Sequence, residues 1–158
     1  MADITRRDFL GRTGGALAAG VMGFNILHNA RAYAANDTIR VAVIGLNGRG
    51  KSHVGKFLSL QGKGVELAAL CDVDEQVLAA KAADVEKAVG SRPKTFTDMR
   101  ELFDDDSIHA VSIATPNHWH ALATIWACQA GKDVYVEKPC SHNVWEGRQM
   151  VKAVEKYQ

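Results

Sequence analysis

The stretch VAVIGLNGRGKSH, Val41 to His53, fits two phosphate-binding patterns that imply different chemistry. Read from Gly45, GLNGRGKS is a literal G-x-x-x-x-G-K-S, the phosphate loop of nucleoside triphosphatases. Read as G-x-G-x-x-G, the dinucleotide fingerprint, it has Gly45 and Gly50 in place and Asn47 where the middle glycine belongs. Either pattern needs a strand before the glycines and a helix after them. Backbone N–H groups near Gly48 to Gly50 and the helix dipole then meet phosphate. Gly48 directly follows Asn47, so a shifted glycine can serve the close backbone approach, and asparagine tolerates left-handed angles better than most residues.

Outward from this loop, strand-like and helix-like segments alternate, the pattern of a parallel α/β sheet. The apolar run Ile39 to Ile44 reads as a buried strand, and the glycine turn opens a helix over Lys51 to Leu60. VELAALC, Val65 to Cys71, is a second strand that ends at Asp72. Asp74 caps the next helix, EQVLAAKAADVEKAV, and Gly90 stops it. Lys94 to Phe96 makes a short third strand, Thr97 caps a brief helix around Asp98 to Phe103, and the acidic Asp104 to Ser107 reads as a solvated loop. Ala110 to Ala114 is the fourth strand, HALATIWACQA a helix that Gly131 ends, and Asp133 to Glu137 the fifth strand. Trp119, Ile125 and Trp126 are expected to pack in the core. The last helix, from about Val144, is still running at Gln158, and a six-stranded doubly wound domain would lack its final strand. The expected fold is a doubly wound parallel sheet, a Rossmann fold incomplete at the C-terminus, over residues 35–158.

With 158 residues, 47% apolar and 23% charged, the chain has the composition of a soluble globular domain. Residues 1–34 read instead as an address: basic TRRDFLGR, apolar GGALAAGVMGFNIL, then ARAYAA. Thr5-Arg6-Arg7-Asp8-Phe9-Leu10 resembles the twin-arginine export signal, with Gly11 where lysine is common. Cleavage is expected after Ala34, with Ala32 as the alternative. The implied partner is the twin-arginine export machinery and the destination periplasmic or otherwise extracytoplasmic. Removing these residues takes away four arginines and two aspartates, leaving 15 basic against 16 acidic residues, or −1. That balance argues against nucleic acid as the main partner. Cys71, Cys128 and Cys140 are odd in number and lack metal-ligand spacing, so they read as buried small apolar residues. His118, His120 and His142 have no acidic cluster beside them, and no metal is expected.

Asp72 lies 22 residues after Gly50, at the end of the second strand. In the triphosphatase reading it would be a Mg²⁺ carboxylate. In the dinucleotide reading it accepts both hydroxyls of the adenosine ribose and repels a 2′-phosphate, favouring NAD over NADP. Arg49 weakens that preference, since it can reach the pyrophosphate or a 2′-phosphate. All the motifs fall where an open parallel sheet binds ligand, at the carboxyl ends of its strands: Gly45 to Gly50, Asp72, Thr115 to His120, and Glu137 to Pro139.

VAVIGLNGRG, ALCDVD, ATPNHWH and VYVEKPCSHNVWEGRQM stand in the order and spacing of the N-terminal domain of the Gfo/Idh/MocA oxidoreductases. The chain resembles that family from Ile39 onward, and the threonine-proline loop followed by Glu-Lys-Pro speaks against triphosphate hydrolysis. The resemblance implies that Thr115, Pro116, Asn117 and His120 border the nicotinamide half of the cofactor. It also implies that Glu137 helps hold the nicotinamide ribose and that Lys138 reaches the reacting carbon as a catalytic residue. A lysine suits that place, because an ammonium stabilises negative charge on the oxygen of a carbinol losing hydride, or relays its proton. In the family, substrate-binding residues and a second catalytic group, usually histidine, lie in a following α+β domain. The implied activity of the full-length protein is oxidation of a sugar, polyol or related carbinol, with a homo-oligomer allowed. Two alternatives stand beside it: an NAD-dependent glycosidase working by transient oxidation, and a non-catalytic dinucleotide-binding fragment.

Overall fold

The computed structural model describes residues 38–157; the expected export signal lies outside them. Among the described residues eleven elements follow one another: β1 (Ile39–Ile44), α1 (Gly50–Leu58), β2 (Val65–Cys71), α2 (Glu75–Val89), β3 (Lys94–Phe96), α3 (Met99–Phe103), β4 (Ala110–Ile113), a 3₁₀ turn (Asn117–Trp119), α4 (His120–Gln129), β5 (Asp133–Val136) and α5 (Val144–Tyr157). The strands form one parallel sheet in the order β3-β2-β1-β4-β5. The order reverses between β1 and β4, and that reversal opens a crevice at the carboxyl ends of the strands.

β1 sits at the centre and is apolar throughout its second half because both its faces are covered. Ala42 and Ile44 face a core with Leu102 and Phe103 of α3 and Ala123 and Ala127 of α4. Val43 faces the other layer, with Val54 of α1 and Leu78, Ala82 and Val85 of α2. The Asp74 carboxylate caps α2 by accepting Gln76 N–H and Val77 N–H, and Gly90 ends it at φ +81°. The fifth helix packs on α4.

Several local expectations are corrected. Gly50 N–H bonds to the Asn47 carbonyl and starts α1 one residue early, whereas Gly62 and Gly64, at φ +76° and +78°, turn the chain after it ends at Leu58. The cap of α3 is Asp98, not Thr97: its extended backbone lets the carboxylate accept Arg100 N–H at 2.9 Å. Asp105 is not a loosely solvated loop residue. Its carboxylate accepts Lys94 Nζ at 2.6 Å and both Ser107 N–H and Oγ–H, which hold it down to a pKa of about 2, with Lys94 the largest cause. Cys71 and Cys128 are buried, and Cys140 is exposed because it lies on the loop after β5. Trp119 is 40% exposed, on the 3₁₀ turn and not in the core.

Candidate functional site

Three glycines shape the loop after β1. Gly45 has φ +84°, and a Cβ there would come within 2.8–2.9 Å of the Ala114 and Thr115 backbone, so only glycine lets β1 turn against the exit of β4. At Gly50 a Cβ would fall 1.8 Å from the Gly45 carbonyl oxygen, so glycine is required for α1 to seat on the strand end. Gly48 has φ +50° with nothing within 4 Å of its Cβ position, a left-handed turn beside open space. Tight turn, phosphate approach and helix seating are the three tasks of the dinucleotide fingerprint, with the middle one displaced by one residue from Asn47 to Gly48.

The start of α1 is left open. Arg49 occupies its N-cap without a side-chain bond to the helix's own N–H groups, and the first turn carries no acid. Gly50 N–H is taken by the Asn47 carbonyl and Ser52 N–H by the Arg49 carbonyl, so what the helix offers a phosphate is its positive dipole end with no carboxylate to neutralise it. The loop itself is tied to β2: Leu46 N–H donates to Asp72 Oδ2 at 2.7 Å, and Asp74 N–H to Oδ1 at 3.0 Å.

These parts wall a cleft of about 840 Å³. Of the residues singled out in the sequence, Gly45, Asn47, Gly48, Arg49, Asp72, Thr115 and Pro116 line it, while Gly50, Asn117, His120, Glu137 and Lys138 do not. Val73, Asp98, Met99 and Arg100 also line it without having been assigned to the site, as do Trp119 and Trp126, which were expected in the core. Met99 and Trp126 also pack against the core.

At the far end of the sheet, Glu137 ties α1 to β5. Its Oε1 accepts Arg49 Nε at 2.8 Å and lies 2.9 Å from His53 Nε2, while Oε2 accepts Lys138 N–H at 3.1 Å. These partners, Arg49 first and His53 second, pull the Glu137 carboxyl down to a pKa of about 2. His53 is buried and reaches Ser112 Oγ of β4 through Nδ1 at 2.8 Å. Neither His53 nor Ser112 was marked in the sequence. A serine inside an otherwise apolar buried strand, and a histidine one helical turn after Arg49, were the signals.

His120 is buried too, its ring lying 2.7 Å from the Pro139 carbonyl and 2.8 Å from the Thr115 carbonyl. The ring thus lies between the threonine-proline loop and the Glu-Lys-Pro loop, with one ring nitrogen against a carbonyl of each. It stands behind the cleft wall. Lys138 is exposed at the β5 exit, and its ammonium has no partner among the described residues.

The residues present fit a dinucleotide. Thr115 Oγ1 is buried on the cleft wall without a hydrogen-bond partner, an atom that awaits a donor or acceptor. The open start of α1, the bare Gly48 side and the Asp72 carboxylate supply the complements of pyrophosphate and ribose hydroxyls.

A family model described as an oxidoreductase family with an NAD-binding Rossmann fold, GFO_IDH_MocA, matches residues 39–158. The chain belongs to the Gfo/Idh/MocA oxidoreductase family. Its family relatives include the α-N-acetylgalactosaminidase of Shewanella oneidensis, 34% identical over 100% of this chain and 38% of that protein. The chain thus spans about two fifths of the length of the curated relatives it matches. Among solved structures, myo-inositol 2-dehydrogenase from Lactobacillus plantarum matches with a TM-score of 0.67 and 29% identity, over 77% of this chain and 34% of that one. The WlbA dehydrogenase from Bordetella pertussis, solved with NADH and UDP-GlcNAcA, matches with a TM-score of 0.65 and 30% identity, over 76% of this chain and 35% of that one. This is an NAD-binding Rossmann domain, and the imperfect fingerprint, not the literal phosphate-loop match, describes its glycine turn.

Proposed function

We propose that this chain is the cofactor-holding part of an exported, NAD-dependent enzyme acting on a sugar, polyol or related carbinol. The observation that carries the reading is the single cleft into which the Gly45–Gly50 turn, Asp72 and the orphaned Thr115 hydroxyl converge. Asp72 supports NAD over NADP, because its carboxylate accepts ribose hydroxyls and repels a 2′-phosphate. A bound nicotinamide supplies a hydride acceptor for a carbinol carbon. Around it, the uncapped start of α1 receives phosphate, Arg49 and Glu137 fix the exit of β5, and the Lys138 ammonium stabilises charge on the substrate oxygen or relays its proton.

The name of the Shewanella relative supports a second reading, a redox-neutral glycosidase in which a ring carbon is oxidised only transiently. Full-length protein assayed with aryl glycosides and with free sugars separates the two. Aglycone release without net cofactor reduction marks the glycosidase, and accumulation of NADH marks net oxidation. In either case Lys138→Ala should leave NAD affinity within about threefold and lower turnover by about 100-fold or more, the usual worth of a positioned acid or base. Full turnover in that variant removes Lys138 from the chemistry.

Export rests on Thr5-Arg6-Arg7-Asp8-Phe9-Leu10 and the small-residue site Ala32-Tyr33-Ala34. N-terminal sequencing of the exported protein should find Ala35 first; an intact Met1 contradicts the signal.

A further inference from the structure

The crevice end beside β2 and β3 carries a charge pair for which the cofactor reading has found no use. Asp72 follows β2 and Asp98 follows β3. Parallel pairing of Cys71 with Phe96 sets these two strand exits side by side, and Asp72 N–H bonds to the Phe96 carbonyl at 3.2 Å. Both carboxylates and Arg100 line the same cleft. Asp98 holds Arg100 twice: it accepts the Arg100 backbone N–H as the cap of α3, and it takes the guanidinium through Nε, 3.0 Å from either oxygen, and Nη2. The Arg100 side chain is 70% exposed, so the fork is occupied by Asp98 and not by burial. Arg49, the other arginine of the cleft wall, is turned toward Glu137.

We propose that the Asp98–Arg100 pair sets dinucleotide selectivity: Asp98 withholds Arg100 from a 2′-phosphate and adds a second carboxylate beside Asp72, so the cleft takes the 2′-hydroxyl form of the cofactor. This rests on the reading of the cleft as a dinucleotide site. A guanidinium fork matches phosphate as well as it matches carboxylate. The arginine that would welcome a 2′-phosphate is therefore already in the wall, engaged by its neighbour. Asp72 acts by meeting the ribose directly, whereas Asp98 acts through Arg100, which makes it a positioning residue. Because the pair is exposed and screened, its effect belongs to selectivity more than to stability.

Asp98→Ser isolates the effect. Serine is a good helix cap, so α3 keeps its start, but its side chain is too short to hold the guanidinium. The purified chain is titrated calorimetrically with NAD and with NADP, as wild type, Asp98→Ser and Asp98→Ser/Arg100→Ala. Wild type should bind NAD at least about tenfold more tightly. Asp98→Ser should gain about tenfold in NADP affinity with NAD affinity held within about threefold, and the gain should shrink at high salt. Adding Arg100→Ala should abolish it. The proposal is overturned if Asp98→Ser, with native melting and native NAD affinity, leaves NADP binding unchanged. It is equally overturned if the gain survives loss of Arg100, or if wild type prefers NADP. Should wild type bind neither dinucleotide, the cofactor reading falls and takes this proposal with it; failure of the proposal alone leaves NAD binding intact.

Discussion

At the scale of single residues, the glycines of the β1–α1 turn are not equivalent. Gly50 has no room for a methyl group, since the clash is with backbone that cannot swing aside, whereas Gly48 has room and only a strained φ. Gly50→Ala should therefore cost about 3 kcal/mol or more, at or above the upper end for overpacking. Gly48→Ala should cost only about 1–2 kcal/mol, the usual charge for a non-glycine residue in left-handed backbone. Urea denaturation of the two variants gives the comparison, and equal losses would contradict the account of the turn. Asn47 at the fingerprint position is tolerated because Gly48, one residue on, carries the left-handed turn and the open side.

Between elements, the tie that matters is the one from α1 to β4 and β5 through His53. Removing it in His53→Ala strands buried Ser112 Oγ and takes one of two side-chain donors from Glu137. A loss of about 1–3 kcal/mol is expected, the cost of leaving a buried polar group unpaired. Arg49→Ala should cost less, its side chain being 67% exposed. Thermal melts of both variants test the order. All five strands were legible in the sequence, because apolar runs bounded by glycine, proline and aspartate can hardly be anything else in an alternating chain. The His53 tie was not: the serine inside an apolar strand and the histidine one turn after Arg49 hint that each side chain has a polar partner, but that His53 meets partners 59 and 84 positions away is set by the packing of α1 on β4 and β5. The cap of α3 was misread by one residue because Thr97 and Asp98 are both cap formers, and only the extended backbone of Asp98 decides between them. Trp119 was assigned to the core by its apolar neighbours, but the 3₁₀ turn before α4 swings it onto the cleft.

On the scale of the whole molecule, three carboxylates among the described residues lie far below their ordinary values: Glu137, Asp98 and Asp105, each at about 2. Their main causes are Arg49, Arg100 and Lys94 respectively. A folded-state pKa below the unfolded one stabilises above the unfolded value and is lost as pH falls through the folded value. Melting temperature should thus hold steady down to about pH 5 and fall between about 4.5 and 2, and Glu137→Gln should flatten part of that decline. A decline that begins near neutrality would point to other groups. The central claim is that the cleft at the strand-order reversal holds NAD, with Asp72 on its ribose. Calorimetric titration of the purified chain with NAD, and separately with Mg²⁺ and ATP, tests it most directly when repeated on Asp72→Asn. The account predicts one NAD per chain, little ATP binding, and at least about a tenfold loss, roughly 1.4 kcal/mol, in a variant that melts normally. Tighter binding of ATP than of NAD, or an Asp72→Asn variant that binds NAD as well as wild type, would contradict it.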